Sequence, residues 1–306
     1  MPLEGAELEL DREALQRART ALLELPCPTL ALLPEALRAP LDELVDAFDV
    51  ALPGGADLRP LEAAVARSPL ACQALVQLLR LNQKLDLHQG LVAESLVYST
   101  LQSGPEFAAW LASRPAPRPR PAPQGPAVLL SRSGAQLEIA LNRPEKRNAF
   151  SAAMRDGLCD ALRVALSDPA IARVTLRGVG PSFCSGGDLD EFGSLPDPGQ
   201  AHAIRSTRSP ARLLAACAAR VESRIHGACV GAGIELPAFG ARVVAAPDCF
   251  AQLPEVAMGL VPGAGGTVSL LRRIGRQRTA WLALTGERVD AEAALRIGLV
   301  DAIRRG

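Results

Sequence analysis

The chain has 306 residues, enough for one large or two modest domains with a substantial core. Its 33 Lys and Arg balance 33 Asp and Glu, so no net field draws it to nucleic acid or an anionic membrane. Seven scattered cysteines without a CxxC pair argue against a zinc ribbon or dithiol redox site. No run reaches membrane-spanning length, so a cytoplasmic protein without metal or membrane partner is expected.

In chain order, residues 7–23 and 41–49 alternate Leu and Ala with charged residues at helical spacing. Residues 61–80 read as helix, interrupted at Ser68-Pro69, where proline can open a second helix at its first turn. Residues 83–113 read as helix too, broken at Gly104-Pro105, so residues 1–113 are expected to form an all-helical lobe. Residues 114–126 (Arg-Pro-Ala-Pro-Arg-Pro-Arg-Pro-Ala-Pro-Gln-Gly-Pro) make a proline-rich, semi-rigid linker, able to reach on the order of 40 Å.

After the linker the texture changes. Residues 127–131 and 136–141 read as a hairpin around Ser133-Gly134, and residues 151–166 as a helix capped by Ser151. Strands are expected at 174–177, 221–225, 241–246 and 250–253. Helices are expected at 201–219, 267–276, 280–284 and 291–297. Strands alternating with helices make residues 127–306 an α/β or mixed domain.

Two glycine-rich turns follow strands, at 182–188 and 227–233. The second lacks the third glycine of a dinucleotide fingerprint, no glycine loop ends in Lys-Ser/Thr, and neither Ser182 nor Ser185 sits in a Gly-x-Ser-x-Gly elbow. What remains is a pair of turns able to offer backbone N–H groups to a developing oxyanion. Glu235 lies at the end of the second turn and Glu255 follows one strand later. Two carboxyls beside small residues that let a ligand approach suggest proton transfer next to a polarised carbonyl.

These residues carry a family resemblance. Phe183-Cys-Ser-Gly-Gly-Asp-Leu189, Gly227-Ala-Cys-Val-Gly-Ala-Gly-Ile-Glu-Leu236, Pro254-Glu255 and Gly259-Leu-Val-Pro-Gly-Ala-Gly-Gly266 resemble the crotonase (enoyl-CoA hydratase/isomerase) superfamily. Leu141-Asn-Arg-Pro-Glu-Lys-Arg-Asn-Ala149, Leu284-Thr-Gly-Glu287 and Gly298-Leu-Val-Asp301 fit it in order and spacing, so that residues 127–303 are covered. The resemblance implies a crotonase-type spiral of β-β-α units with a helical lobe. It implies an oxyanion hole made by the N–H groups of Ser185 and Ala232, and Glu235 and Glu255 as the carboxyls that move water and a proton. By the same resemblance Lys146, Arg147 and Ala149 lie in the loop that lines the coenzyme A groove. There Ala149 would meet the pantetheine through its backbone, and Lys146 or Arg147 would approach phosphate. Ser185, Gly187 and Asp188 stand in the first turn, where Gly187 reads first as a turn residue and Asp188 as a cap for a following helix. Glu191 and the residues up to Ser209, with the lobe, would shape the acyl pocket.

The implied activity is reversible hydration of a 2-enoyl-CoA, with coenzyme A entering only as part of the substrate and no other cofactor. The alternatives are an enoyl-CoA isomerase using mainly Glu255, another crotonase-type acyl-CoA reaction, or a non-catalytic acyl-CoA-binding subunit. A homotrimer or dimer of trimers is the assembly the family implies. Members continue past the Gly-Leu-Val-Asp segment with helices that cover the acyl pocket. Here residues 44–114 resemble that missing piece in order, and Leu-Val-Asp-Ala occurs at both 44–47 and 299–302. A circular permutation closed by the proline linker is therefore expected, against an unrelated helical domain packed far from Glu235.

Overall fold

The computed structural model describes residues 12–35, 42–115, 125–194 and 197–304. Most of the proline linker thus lies outside the described residues. Eleven strands are present among the described residues: β1 (Leu30–Leu33), β2 (Val50–Pro53), β3 (Val128–Ser133), β4 (Gln136–Leu141), β5 (Arg173–Gly178), β6 (Val221–Ile225), β7 (Ala228–Val230), β8 (Arg242–Ala245), β9 (Phe250–Gln252), β10 (Val289–Asp290) and β11 (Ala302–Ile303). Six of them form one sheet in the order β11-β8-β6-β5-β4-β3, parallel except for the β3–β4 hairpin. A smaller sheet, β10-β9-β7, stands beside it.

Period-two burial explains the strands. Leu137 and Ile139 of β4, Val174 and Leu176 of β5, and Val221 and Ile225 of β6 are all buried. Ser151 opens helix Ala152–Ser167 as expected, its hydroxyl accepting from the Met154 N–H. Met154, Leu158, Leu162 and Ala165 then recur at helical spacing and are buried, with the helix lying against β3 and β4.

The N-terminal lobe contains helices Arg59–Arg67, Pro69–Asn82, Leu87–Gln102 and Pro105–Ala112. Proline opens the second and fourth at their first position, where its missing N–H would have had no intrahelical partner. Asp86 and Gln89 close a reciprocal capping box on the third. The lobe is not all-helical, however. β1 and β2 form a parallel pair, and among the described residues of 41–49 only Asp42–Val45 is helical. The physical reason is Asp49, fully buried between elements distant in the chain. It accepts from Thr29, Arg80 and Arg276 and fixes the neighbouring backbone outside a helix. Residues 201–219 also differ from expectation. Ser209-Pro210 divides them into helices Pro198–Thr207 and Pro210–Ala216, capped by Asp197 and Ser209.

Lobe and core share one continuous apolar cluster running from Leu61 and Leu75 through Phe107 to Leu176, Val268 and Leu271. Leu75 and Leu79 are fully buried, each contributing about 2 kcal/mol of transfer free energy. Helices Pro69–Asn82 and Leu87–Gln102 pack on helix Gly266–Ile274. Two glycines permit close docking. A Cβ on Gly263 would lie 2.4 Å from the Tyr98 ring, and one on Gly259 2.6 Å from the Phe107 nitrogen. The lobe therefore sits directly over the segment that follows Glu255.

Candidate active site

Gly227 separates β6 from β7, which delivers the chain to Gly231, whose φ of 50° and ψ of −119° turn it sharply into the short helix Ala232–Glu235. The N–H groups of Ile234 and Glu235 both donate to the Gly231 carbonyl, whereas the Ala232 N–H has no partner among the described residues. This is the ordinary condition of a first-turn amide.

The first glycine-rich turn lies against this one. Cys184 pairs with β7, its N–H donating to Ala228 and its carbonyl accepting from Val230. Phe150 donates to the Gly186 carbonyl and accepts from the Asp188 N–H, a parallel bridge that leaves the N–H of Gly187 facing away from Phe150. That N–H has no partner among the described residues. The Ser185 N–H, by contrast, donates to the Arg147 carbonyl at 3.0 Å. Ser185 is therefore not the free donor that the resemblance implied. The free amide sits two residues further on, because the 147–150 loop lies beside the turn and takes up the Ser185 hydrogen.

That loop serves other purposes than those expected. Lys146 Nζ bonds Asp190 at 2.8 Å and Asp188 at 3.1 Å, while Arg143 Nη1 bonds Asp188 at 2.8 Å. Lys146 is thereby committed to a buried ion cluster and is not free to reach a phosphate. The Ala149 N–H donates to Lys146 and its carbonyl accepts from Arg143, so both backbone groups expected to meet pantetheine are engaged. Arg147 is exposed with no side-chain ion pair among the described residues. Asp188 caps no following helix. It is 3% exposed and accepts from Arg143, Lys146 and the Asp190 N–H, with residues 189–194 in turns.

The two carboxyls are brought together. A Cβ on Gly231 would lie 2.4 Å from Glu255 Oε1 and 3.7 Å from Glu235 Oε1, so both oxygens face one point beside the Ala232 turn. Glu235 Oε2 accepts from the N–H groups of Ala264 and Gly266, each at 2.8 Å. Burial pushes its pKa up to about 7, held back by those two hydrogen bonds. Glu255 Oε2 is buried without a hydrogen-bond partner. Burial, and then the neighbouring Glu235, raise the Glu255 carboxyl well above the usual range.

The lobe adds two residues to which sequence reasoning assigned no role. Glu94 is 3% exposed and bonds the N–H groups of Gly265 and Thr267 and the Thr267 hydroxyl. Burial and then Glu235 push it up to about 8, against those three hydrogen bonds. The Tyr98 hydroxyl has no hydrogen-bond partner among the described residues, and burial raises its pKa. No local signal could have found Glu94, because its pairing with Gly265 and Thr267 spans more than 170 residues.

A stability effect follows from these carboxyls. Below pH 4.5 both Glu94 and Glu235 are protonated whether the chain is folded or not, and no penalty exists. Between pH 4.5 and about 8 the unfolded chain releases protons that the native state keeps. Stability therefore falls as pH rises through this window. Tm measured by circular dichroism is expected to drop from pH 5 to pH 8, and Glu94→Gln to flatten the slope. A Tm that climbs over this range, or a variant slope equal to wild type, contradicts the assignment.

The enoyl-CoA hydratase/isomerase family model matches residues 132–304. Among relatives, a 2,3-dehydroadipyl-CoA hydratase of Escherichia coli is 34% identical over 56% of this chain and 67% of its own length. YngF of Bacillus subtilis, described as an enoyl-CoA hydratase/isomerase, is 36% identical over 53% of this chain and 63% of its own. The chain thus spans about two thirds of these relatives. The enoyl-CoA hydratase structure from Thermoplasma volcanium superposes with a TM-score of 0.55 at 31% identity, covering 59% of this chain and 72% of that one. One from Thermobifida fusca, in complex with acetoacetyl-CoA, gives 0.54 at 26% identity, covering 58% and 73%. With its crotonase fold and a family match that covers more than half of its length, the chain belongs to the enoyl-CoA hydratase/isomerase family. Among the described residues no helix is long and apolar enough to cross a membrane.

Proposed function

We propose that the protein adds water reversibly across the double bond of a 2-enoyl-CoA. The observation that carries this reading is the convergence of Glu235 and Glu255 on one point beside Gly231, next to the free amide of Ala232. In this reading the N–H groups of Gly187 and Ala232 grip the thioester oxygen, where negative charge grows as the enolate forms. Donors of this kind contribute about 3 kcal/mol each in comparable sites.

Their environments give the two acids different parts. Glu235, held by two backbone N–H groups, is the carboxyl more readily ionised, and its Oε1 is left to take a proton from water. The hydroxide part of that water bonds to the β-carbon. Glu255, raised further and with an orphaned oxygen, keeps its proton and gives it to the α-carbon. The proton taken by Glu235 and the one lost by Glu255 balance, and exchange between the two carboxyls restores the start. No cofactor is needed beyond the coenzyme A that the substrate carries. The names of the hydratase relatives and the acetoacetyl-CoA bound to a structural neighbour support the substrate class.

The lobe supports a permuted arrangement. Glu94, Tyr98 and Phe107 all meet the 259–267 segment, where a C-terminal cover would lie. In this reading the proline linker closes the rearranged chain.

Purified protein with crotonyl-CoA is expected to bleach the enoyl thioester absorbance and yield 3-hydroxybutyryl-CoA. Conversion of a 3-enoyl-CoA to its 2-enoyl isomer without hydration would make it an isomerase instead. Binding of acyl-CoA without any turnover would make it a carrier.

A further inference from the structure

A cleft open to solvent borders the residues that adjoin Glu235, and its lining is unusual for a site that takes a plain acyl chain. One wall is Phe150, whose N–H bonds the turn that carries the free Gly187 amide. The other includes Leu236 and Ala264, the residues next to Glu235 in sequence and in hydrogen bonding. The cleft thus borders two residues that adjoin Glu235 and one that adjoins the Gly186–Asp188 turn. Four guanidinium groups line it, those of Arg155, Arg205, Arg208 and Arg212.

Their charges are not balanced. Arg155 and Arg208 share a single carboxylate, Asp156, at 2.9 and 3.5 Å. The acid lining the cleft, Glu94, already has both oxygens in hydrogen bonds to Gly265 and Thr267. Arg212 is exposed with no carboxylate partner among the described residues.

Arg205 is half-buried and also lacks one. Its Nε and Nη2 are held by Ser95 and Ser99, and its guanidinium lies 4.7 Å over the Tyr98 ring. Its Nη1 makes no hydrogen bond among the described residues. Burial lowers its pKa, with Tyr98 and Glu94 acting in the opposite direction. Neutral serines and one aromatic face fix the plane of this cation without neutralising it. An anion arriving at Nη1 would supply the missing charge in a partly dehydrated place, where ion pairing is stronger than in water.

We propose that the acyl group this site accepts ends in a carboxylate, received by Arg205 with Arg212 at the mouth of the cleft. The substrate class is then the coenzyme A thioester of a 2-enoic dicarboxylic acid with a few carbons between the reacting bond and the far carboxylate. This rests on the acyl-CoA reading above and sharpens it.

The test compares two unreactive six-carbon thioesters, adipoyl-CoA and hexanoyl-CoA, by isothermal titration of the full chain. They differ only in the terminal carboxylate. Adipoyl-CoA is expected to bind at least about tenfold more tightly. The preference is expected to shrink with added salt, to vanish in Arg205→Gln and to weaken in Arg212→Ala. Equal affinities in wild type overturn the proposal. So does an Arg205→Gln variant that weakens hexanoyl-CoA and free coenzyme A as much as adipoyl-CoA, which would assign the arginine to coenzyme A phosphate. If Arg205→Gln fails to fold, the wild-type preference and its change in Arg212→Ala decide. Because both ligands are saturated, the binding contrast stands or falls apart from hydration. Inactivity on the 2-enoyl analogue of adipoyl-CoA with the contrast intact would refute the hydration reading alone.

Discussion

Glu255→Gln is expected to lower kcat by about three orders of magnitude with KM changed little. The amide keeps the shape of the carboxyl but has no proton to deliver to carbon. Wild-type Glu255 is suited to that delivery because burial and Glu235 disfavour its charged form and one of its oxygens has no partner to stabilise an anion. The pH profile should change with it. In wild type the rate requires Glu235 ionised and Glu255 protonated, which gives a bell whose acidic limb reflects a group near 7, the two macroscopic values belonging to the pair. The variant should lose the alkaline limb and keep the acidic one. Activity within a factor of ten of wild type would remove Glu255 from the proton-transfer step.

Ala232→Pro is expected to reduce kcat by two to three orders of magnitude, about what the loss of one oxyanion donor causes elsewhere. The substitution deletes the N–H at the one place in this turn where proline is tolerated. Ala232 is the first residue of its helix, and its N–H has no intrahelical duty. Gly231 in front of it has ψ of −119°, outside the helical region that a following proline forbids. Thermal unfolding within a few degrees of wild type, together with the rate loss, separates the missing hydrogen bond from misfolding. A well-folded variant that retains full turnover would mean that Ala232 does not hold the thioester oxygen.

Two features of the site depend on the lobe. Glu94 holds the N–H groups at 265 and 267 from one side while Glu235 holds those at 264 and 266 from the other. The Gly263–Thr267 turn is thus clamped by two buried acids from distant parts of the chain. Burial and then Glu235 raise the pKa of Glu94. The lobe is in this sense part of the site's electrostatics as well as its cover. That interdependence explains why substitutions at Glu94 should register in the pH dependence of the whole fold.

What the amino-acid order alone determined is local. Proline at 69 and 105, the Asp86–Gln89 box and the Ser151 cap decide where helices begin. Alternating apolar residues decide β4, β5 and β6, and the two glycine turns with Glu235 and Glu255 identify the family. These signals act over a few residues, so neighbouring side chains suffice to reveal them. The tertiary structure decided everything that depends on which distant group reaches a hydrogen first. It gave the Ser185 N–H to Arg147 and left that of Gly187 free. It drew Lys146 into pairs with Asp188 and Asp190, made 30–33 and 50–53 a strand pair around Asp49, and set an unpaired Arg205 in the cleft beside the acids. A backbone N–H or a guanidinium is the same chemical group in every chain; its availability is set by packing between segments far apart in the sequence.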